Sequence, residues 1–326
     1  MKEDDNFMAQ FKYYKSNKPK PSLFDVISVQ NHCDKVMPVQ KLNIEDPRNE
    51  VLGLKAFGEW KTYSFTSHPG LFLIKNPFSS VGQRYWIRKC LEDYPRKPNK
   101  KNIDNEFNLD DWWATCYSGG GCSHQLLKKL RWTTLGYHHN WDTKVYTDEN
   151  WTPFPEELSE LTDVVAGCLG WTSFKAEAAI VNYYHMKSTL SAHTDHSEVN
   201  LEAPLFSFSF GQSAIFLIGG QDKSVTPSAI LLESGDIMVM SKEARLCYHA
   251  VPKILPSSTT PWNDELHPIT MTSRPIFKYI NDSDISIDIN KNIHNEKWRK
   301  FNNYVQESRI NVNVRQVLNE TQMCLS

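Results

Sequence analysis

Three consecutive residues, His193-Thr194-Asp195, carry the first chemistry in this sequence. In an extended strand, residues two apart point to the same face. An imidazole nitrogen and a carboxylate oxygen can then reach one point in space. A second histidine from elsewhere completes a two-histidine, one-carboxylate face. That donor set leaves coordination positions open and suits non-haem Fe(II) oxygenases. The tripeptide alone is a weak signal, because most such pairs are surface or hydrogen-bonded residues.

His249 is the geometric choice for the third ligand. It lies in Arg245-Leu246-Cys247-Tyr248-His249-Ala250-Val251-Pro252, at a strand end after the turn Glu233-Ser234-Gly235-Asp236. That turn is read as the tip of a hairpin between Ala229–Leu232 and Ile237–Met240. His185, His196 and His267 compete. His185 shares the strand run of His193 but lies too far along, His196 points to the opposite face, and His267 sits in a polar excursion. Three open positions on Fe(II) suit 2-oxoglutarate, chelating through its keto and C1 oxygens, together with O2. The far carboxylate needs a partner, and the planar arginine fork binds one bidentately. Arg309 fits that role. Arg309, Asn311, Asn313 and Arg315 alternate with Ile310, Val312 and Val314. Such a face is either the solvent side of an edge strand or a sheet interior lined by guanidinium groups awaiting a carboxylate. Asn182 and Tyr184 share a face by the same rule and can add neutral hydrogen bonds.

The elements that must position these residues follow from periodicity. Leu71–Phe78 reads as a buried strand stopped by Asn76-Pro77. Ile87, Leu91 and Tyr94 mark one face of a helix ended by Pro95. A short helix near 125–130 brings Lys128, Lys129 and Arg131 beside Trp132, and a longer one carries Leu158, Leu161, Val165 and Cys168. From Ala178 the period becomes two: Phe206-Ser207-Phe208-Ser209-Phe210 sends rings one way and hydroxyls the other. Helices first and short strands later define an α+β chain with a β-rich catalytic half. The domain reading is an N-terminal extension over residues 1–70, seen as an arm with a short helix near Phe11 packed on its own domain. The catalytic domain follows over 71–326. Within it lie a lid at about 126–152, core strands at about 178–252 and 309–318, and a surface insertion at about 254–295.

Composition sets the outer limits. The 326 residues are 40% hydrophobic and 23% charged, with a net charge of -2. That is a globular composition, and any nucleic acid partner must meet a local basic patch rather than a global field. The seven cysteines form no Cys-x-x-Cys pair and read as reduced, intracellular thiols. Cys116, Cys122 and His124 lack a fourth partner at zinc-finger spacing. No apolar run reaches membrane-spanning length, and the start Met1-Lys2-Glu3-Asp4 has no secretory character.

The order Asn-x-Tyr, His-x-Asp, distal His and Arg-x-Asn-x-x-x-Arg resembles the AlkB family of Fe(II)/2-oxoglutarate dioxygenases. It runs through Asn182, Tyr184, His193, Asp195, His249, Arg309, Asn311 and Arg315. The text at Leu130–Tyr137, Leu205–Phe216 and Ser234–Ser241 is similar to the AlkB homologue 1 subgroup. The likeness spans roughly residues 70 to 320. It implies a double-stranded β-helix (jelly-roll) core with the metal inside its open end. Fe(II), 2-oxoglutarate and O2 are implied, with DNA or tRNA as partner and the methylated base unpaired or flipped. It also suggests the nucleus or mitochondrion as compartment, and a monomer that does not engage membranes. By position, Trp132 matches an aromatic that stacks on the base, and Tyr137 one near its phosphate, within a lid segment Trp132–Trp141. There is one departure. The bacterial member carries an acid two places after the metal aspartate; here that place is Ser197, and the acid is Glu198. Base discrimination at Ser197 and Glu198 therefore cannot be copied across.

The implied reaction couples conversion of 2-oxoglutarate to succinate and CO2 with oxidation of an N-methyl group, N-methyladenine being the first candidate. The hemiaminal then loses formaldehyde. On a carbon-bound methyl, as in 5-methylcytosine of tRNA, the product would remain an alcohol or aldehyde. The rival readings are an oxygenase acting on protein side chains, a lyase acting on abasic DNA through a lysine amine, and a non-catalytic β-helix binding module. No lysine in the sequence announces a lowered pKa, and a metal-free scaffold has no use for the full ligand set.

Overall fold

The structure is a computed structural model that describes residues 5–31, 34–39, 45–118, 122–270, 275–280 and 285–325. The acidic start and two pieces of the 254–295 excursion lie outside these residues. In chain order the elements are α1 (Asn6–Lys15), β1 (Val36–Pro38), α2 (Arg48–Val51), β2 (Lys61–Phe65), β3 (His68–Lys75) and α3 (Ser80–Arg88). Next come β4 (Lys100–Lys101), α4 (Trp112–Cys116), α5 (His124–Lys129), β5 (Trp132–Gly136) and α6 (Glu156–Cys168). The β-rich half holds β6 (Ala178–His185), β7 (Leu190–His193), β8 (Leu205–Gly211), β9 (Ser213–Ile218), β10 (Ser228–Leu232), β11 (Ile237–Met240) and β12 (His249–Leu255). After it come α7 (Ile285–Asn290), α8 (Asn295–Val305) and β13 (Ser308–Arg315).

Two antiparallel sheets face each other. The larger has the order β1-β2-β3-β11-β8-β13-β6-β5-β4, and the smaller β10-β9-β12-β7. This is the α+β, double-stranded β-helix architecture. The alternation in β8 does the sorting. Phe206, Phe208 and Phe210 enter the main core with Trp86 of α3 and Leu161 of α6. Ser207 and Ser209 turn to the opposite face, across from Asn313 and Asn311 of β13. A strand with one apolar and one polar face thus seals the core and lines a site at once.

Four expectations need correction. The runs at Ala229–Leu232 and Ile237–Met240 do not form a hairpin, because β10 and β11 belong to different sheets. The Glu233–Asp236 turn instead carries the chain from one sheet to the other. Its Asp236 carboxylate accepts from Lys75 at 2.9 Å and from the Asn76 and Glu233 amides. A boundary at residue 70 falls inside β3, which pairs with β2 as a hairpin of the larger sheet. The N-terminal segment is therefore built into the fold. Its α1 would be marginal alone, but it docks Phe7, Phe11 and Tyr14 on Ile215, Leu217 and Ala250 of the smaller sheet. The 254–295 excursion is likewise not wholly a surface feature, since Trp262, Ile285 and Ile289 are buried in the main core. Finally, the helix expected through Tyr94 changes to a π-helical turn at Lys89–Asp93.

Gly235, at φ 86°, is the tight point of the inter-sheet turn. A Cβ there would lie 2.0 Å from Asn76 Oδ1. Gly235→Ala is expected to cost at least about 1–3 kcal/mol from left-handed strain alone. An unchanged urea midpoint would contradict this account of the turn.

Candidate active site

Among the described residues, one group of three His, Cys, Asp or Glu side chains converges on a point: His193, Asp195 and His249, with ligand atoms within 4.8 Å of one another. His193 and His249 are cross-strand partners on β7 and β12. Their ring centroids lie 4.2 Å apart, and His249 Nε2 stands 3.6 Å from Asp195 Oδ2. The strand argument that joined His193 to Asp195 needs amending, because β7 ends at His193. Asp195 lies beyond the pleat and is placed by two arginines instead. Arg245 Nη1 donates to the Asp195 carbonyl at 2.7 Å, and Arg315 Nη2 donates to Asp195 Oδ1 at 3.0 Å. The competitors are elsewhere. His185 ends β6, in the other sheet, where its Nδ1 meets Ser308 Oγ. His196 is tied to Thr194, and His267 is exposed beside Glu265.

The protonation states suit a metal. His193 Nδ1 meets the Ser191 carbonyl at 2.9 Å, and His249 Nδ1 meets the Cys247 carbonyl at 3.1 Å. Each ring then carries its proton on Nδ1 and presents the Nε2 lone pair. Burial, with His193 beside it, lowers the His249 pKa to about 4, so the imidazole is neutral at ordinary pH. Burial alone would raise the Asp195 pKa, but Arg315 first, and then the two histidines, hold it well below the usual carboxylate range. Two imidazoles and one anionic carboxylate are the donor set that Fe(II) takes.

Glu198 completes this arrangement. Its carboxylate accepts from Arg245 Nη2 at 2.9 Å and lies 3.1 Å from Arg315 Nε. It also accepts from the Tyr146 hydroxyl at 3.2 Å. With its oxygens so engaged and its side chain almost fully buried, Glu198 braces the two arginines that hold Asp195. Ser197 and Glu198 both line the cavity, with the Glu198 carboxylate already engaged by the protein.

The cavity between the sheets measures about 640 Å³. Asn182, Tyr184, Arg309, Asn311 and Arg315 line one wall, the sheet-interior alternative of the two that alternation left open. Arg309 pairs across the strands with Tyr184. Its guanidinium is 2% exposed and donates to Ser209 Oγ at 2.7 Å and the Gln212 carbonyl at 3.3 Å. No carboxylate pairs with it among the described residues, and its Nε has no partner. Burial pulls its pKa down to about 10. The neighbouring Tyr184 hydroxyl is also buried and unpartnered, its pKa pushed up to about 12 by burial. A buried cation beside an unused donor is costly unless an anion joins them. The pair therefore fits the far carboxylate of 2-oxoglutarate. Asn311 spends its amide on Ser207 Oγ and the Phe208 carbonyl, which braces β8.

The expected lid divides in two. Trp132 opens β5 and pairs with Asn182, so it is a sheet residue rather than part of a loop. Its ring sits 5.1 Å from that of Trp141, and Trp141, 40% exposed, is the one that lines the cavity with His139, Lys144 and Tyr146. Tyr137 is not brought to the site. Its hydroxyl donates to Asp148 at 3.1 Å, and an adjacent carboxylate repels a phosphate. Of the basic cluster, Lys129 pairs with Glu106 and Lys128 lines a separate cavity with His185. Arg245, Tyr146 and His139 were not singled out from the sequence, where nothing in their spacing marks them.

A β-helix with this triad and this unpaired arginine defines a 2-oxoglutarate-dependent Fe(II) oxygenase. A family model described as the 2OG-Fe(II) oxygenase superfamily matches residues 70–315. The nucleic acid dioxygenase ALKBH1 of Mus musculus is 37% identical, over 92% of this chain and 75% of that protein. The tRNA demethylase abh1 of Schizosaccharomyces pombe is 39% identical, over 67% and 79%. The DNA N(6)-methyladenine demethylase ALKBH1A of Arabidopsis thaliana is 30% identical, over 78% and 77%. The chain belongs to the AlkB family of that superfamily, in the AlkB homologue 1 subgroup. Its cofactor and cosubstrates are Fe(II), 2-oxoglutarate and O2. Among the described residues, no helix is long and apolar enough to cross a membrane.

Anaerobic addition of Fe(II) and 2-oxoglutarate is expected to give a visible charge-transfer band that Asp195→Ala abolishes. A full-strength band in that variant would remove Asp195 from the ligand set.

Proposed function

We propose that the enzyme is an oxidative demethylase of methylated bases in nucleic acid, with N-methyladenine in DNA or tRNA as its first substrate. The carrying observation is the cavity itself. It has the His193-Asp195-His249 triad at one end and the half-exposed Trp141 at its rim. Its volume lies within the usual range for ligand sites, roughly 300–1,000 Å³. The names of the relatives, covering nucleic acid, tRNA and N(6)-methyladenine, support the same class. The base enters unpaired or flipped, because chemistry on a base requires it out of the stack. The site is built from one chain, which supports a monomer, and such substrates are found in the nucleus and mitochondrion.

With 2-oxoglutarate and O2, bound Fe(II) supplies oxidation of the methyl C–H bond. The protein's own residues position the partners. The Arg309 fork takes the far carboxylate of the cosubstrate, with Tyr184 and Asn182 adding neutral donors. Arg315 and Arg245 keep Asp195 turned toward His193 and His249. Trp141, backed by Trp132, offers a ring for the base, and His139 and Tyr146 close the wall against water. The hydroxymethylated nitrogen then releases formaldehyde.

Arg309→Lys is expected to raise the KM for 2-oxoglutarate at least about tenfold, since a charged contact is worth about 1.5–3 kcal/mol and a point charge cannot reproduce the fork. An unchanged KM would exclude Arg309 as the anchor. Bulged or single-stranded oligonucleotides should turn over faster than fully paired ones. Trp141→Ala should lose about 1–3 kcal/mol of stacking while keeping the charge-transfer band. Equal turnover of paired and unpaired strands, with Trp141→Ala fully active, would defeat the aromatic-wall assignment. Turnover of a peptide and of no nucleic acid would replace the substrate class.

A further inference from the structure

We propose that Lys144 and Lys223 are the contacts that hold the sugar-phosphate backbone on either side of the nucleotide whose base enters the cavity. This rests on the nucleic-acid reading above and adds to it which charges grip the strand. The two lysines reach the cavity from different walls, Lys144 from the loop after β5 of the larger sheet and Lys223 from the β9–β10 turn of the smaller. Lys97, Lys101 and Lys129 are neutralised by Asp110, Asp104 and Glu106. Lys144 and Lys223 make no carboxylate pair among the described residues. Each ammonium instead lies over an aromatic face of the cavity lining, Lys144 at 5.7 Å from the Trp141 ring centroid and Lys223 at 5.2 Å from that of Tyr248. The adjacent Asp222 carboxylate accepts from the Ser224 amide at 2.9 Å.

Both lysines are presented by pinned turns. Lys144 has φ 61°, a left-handed backbone that a side-chain-bearing residue adopts at a cost. Asn140 imposes it. Its side-chain oxygen accepts from the Asp142 and Thr143 amides, and its carbonyl accepts from the Lys144 amide at 2.9 Å. On the other wall, the Lys223 carbonyl accepts from the Phe7 amide at 3.0 Å, and Asn6 Nδ2 donates to the Ser224 carbonyl at 2.6 Å. Gly219 and Gly220 bond to Tyr248 through the backbone. A solvated lysine needs none of this scaffolding. Two unpaired ammonium groups, held at the rim of a base-sized cavity and on both of its walls, match a strand that crosses the mouth and drops one base inside. The chemistry recognised is a phosphodiester anion, for which lysine serves as a point charge.

The test uses the full-length enzyme and a single-stranded oligodeoxynucleotide carrying one N6-methyladenine. Its Kd is measured by fluorescence anisotropy from about 50 to 200 mM salt. Each of Lys144→Ala and Lys223→Ala is expected to lower the slope of log Kd against log salt by about 0.7, and the double variant by about twice that. Lys→Arg at either position should restore the slope. Succinate formed from 2-oxoglutarate without nucleic acid reports the intact centre and should not change. A double-alanine variant with the wild-type slope and Kd would overturn the proposal, as would a loss that arginine does not rescue or that uncoupled succinate formation shares. If wild-type enzyme neither binds nor turns over the oligonucleotide, the nucleic-acid reading fails first, and the lysine assignment fails with it.

Discussion

The constraint on which the site depends is a buried charge network, Arg245–Glu198–Arg315–Asp195. Two guanidiniums and two carboxylates balance one another in a largely buried cluster at the cavity wall. Such networks add little to stability, because desolvation offsets much of the attraction. Their use here is positional. Asp195 lies outside the strand that carries His193, so no pleat fixes its direction. Arg245 fixes its backbone and Arg315 fixes one carboxylate oxygen, which leaves Oδ2 as the atom toward His249. Glu198 keeps the two guanidiniums from repelling each other out of place.

A second electrostatic choice sits farther along the same strand. Arg309 is buried without an acidic partner, which costs stability as the protein stands. A bound dicarboxylate would recover that cost, which is the ground for proposing Arg309 as the anchor of the cosubstrate. The contrast with Arg315 is instructive. Both arginines face the cavity from β13, but one is satisfied by the protein and the other is held ready for ligand. The Tyr146 hydroxyl, bonded to Glu198, links the loop after β5 to the metal side of the network. The aromatic wall of the cavity is thereby tied to the network that holds Asp195.

Much of this was legible in the sequence because period-two alternation is a strong signal over long strands. The β13 face of Arg309, Asn311, Asn313 and Arg315 and the sorted rings of β8 follow from it, while His249 is picked out by its place at a strand end in the β-rich half. What alternation cannot carry is the direction of residues outside strands. Asp195 looked like a strand residue and is a loop residue clamped by arginines. Glu198 looked exposed to substrate because sequence distance from Asp195 says nothing of Arg245, which arrives from 47 positions away. Gly235 signals a turn equally well within a sheet or between two, so a hairpin was read where the chain changes sheets. The same limit hid Trp141. Trp132 stands first in the aromatic stretch, but its ring lies against Trp141, and the loop tryptophan is the one that lines the cavity.

The central claim is that the network, and not the strand, sets the metal carboxylate. The most direct measurement is the anaerobic Fe(II) affinity of Glu198→Gln, a residue that lies outside the triad. Supporting partners of metal ligands typically contribute about 10–100-fold in affinity. The account predicts a loss of that size, with the overall fold retained by circular dichroism. An unchanged Fe(II) affinity would contradict it.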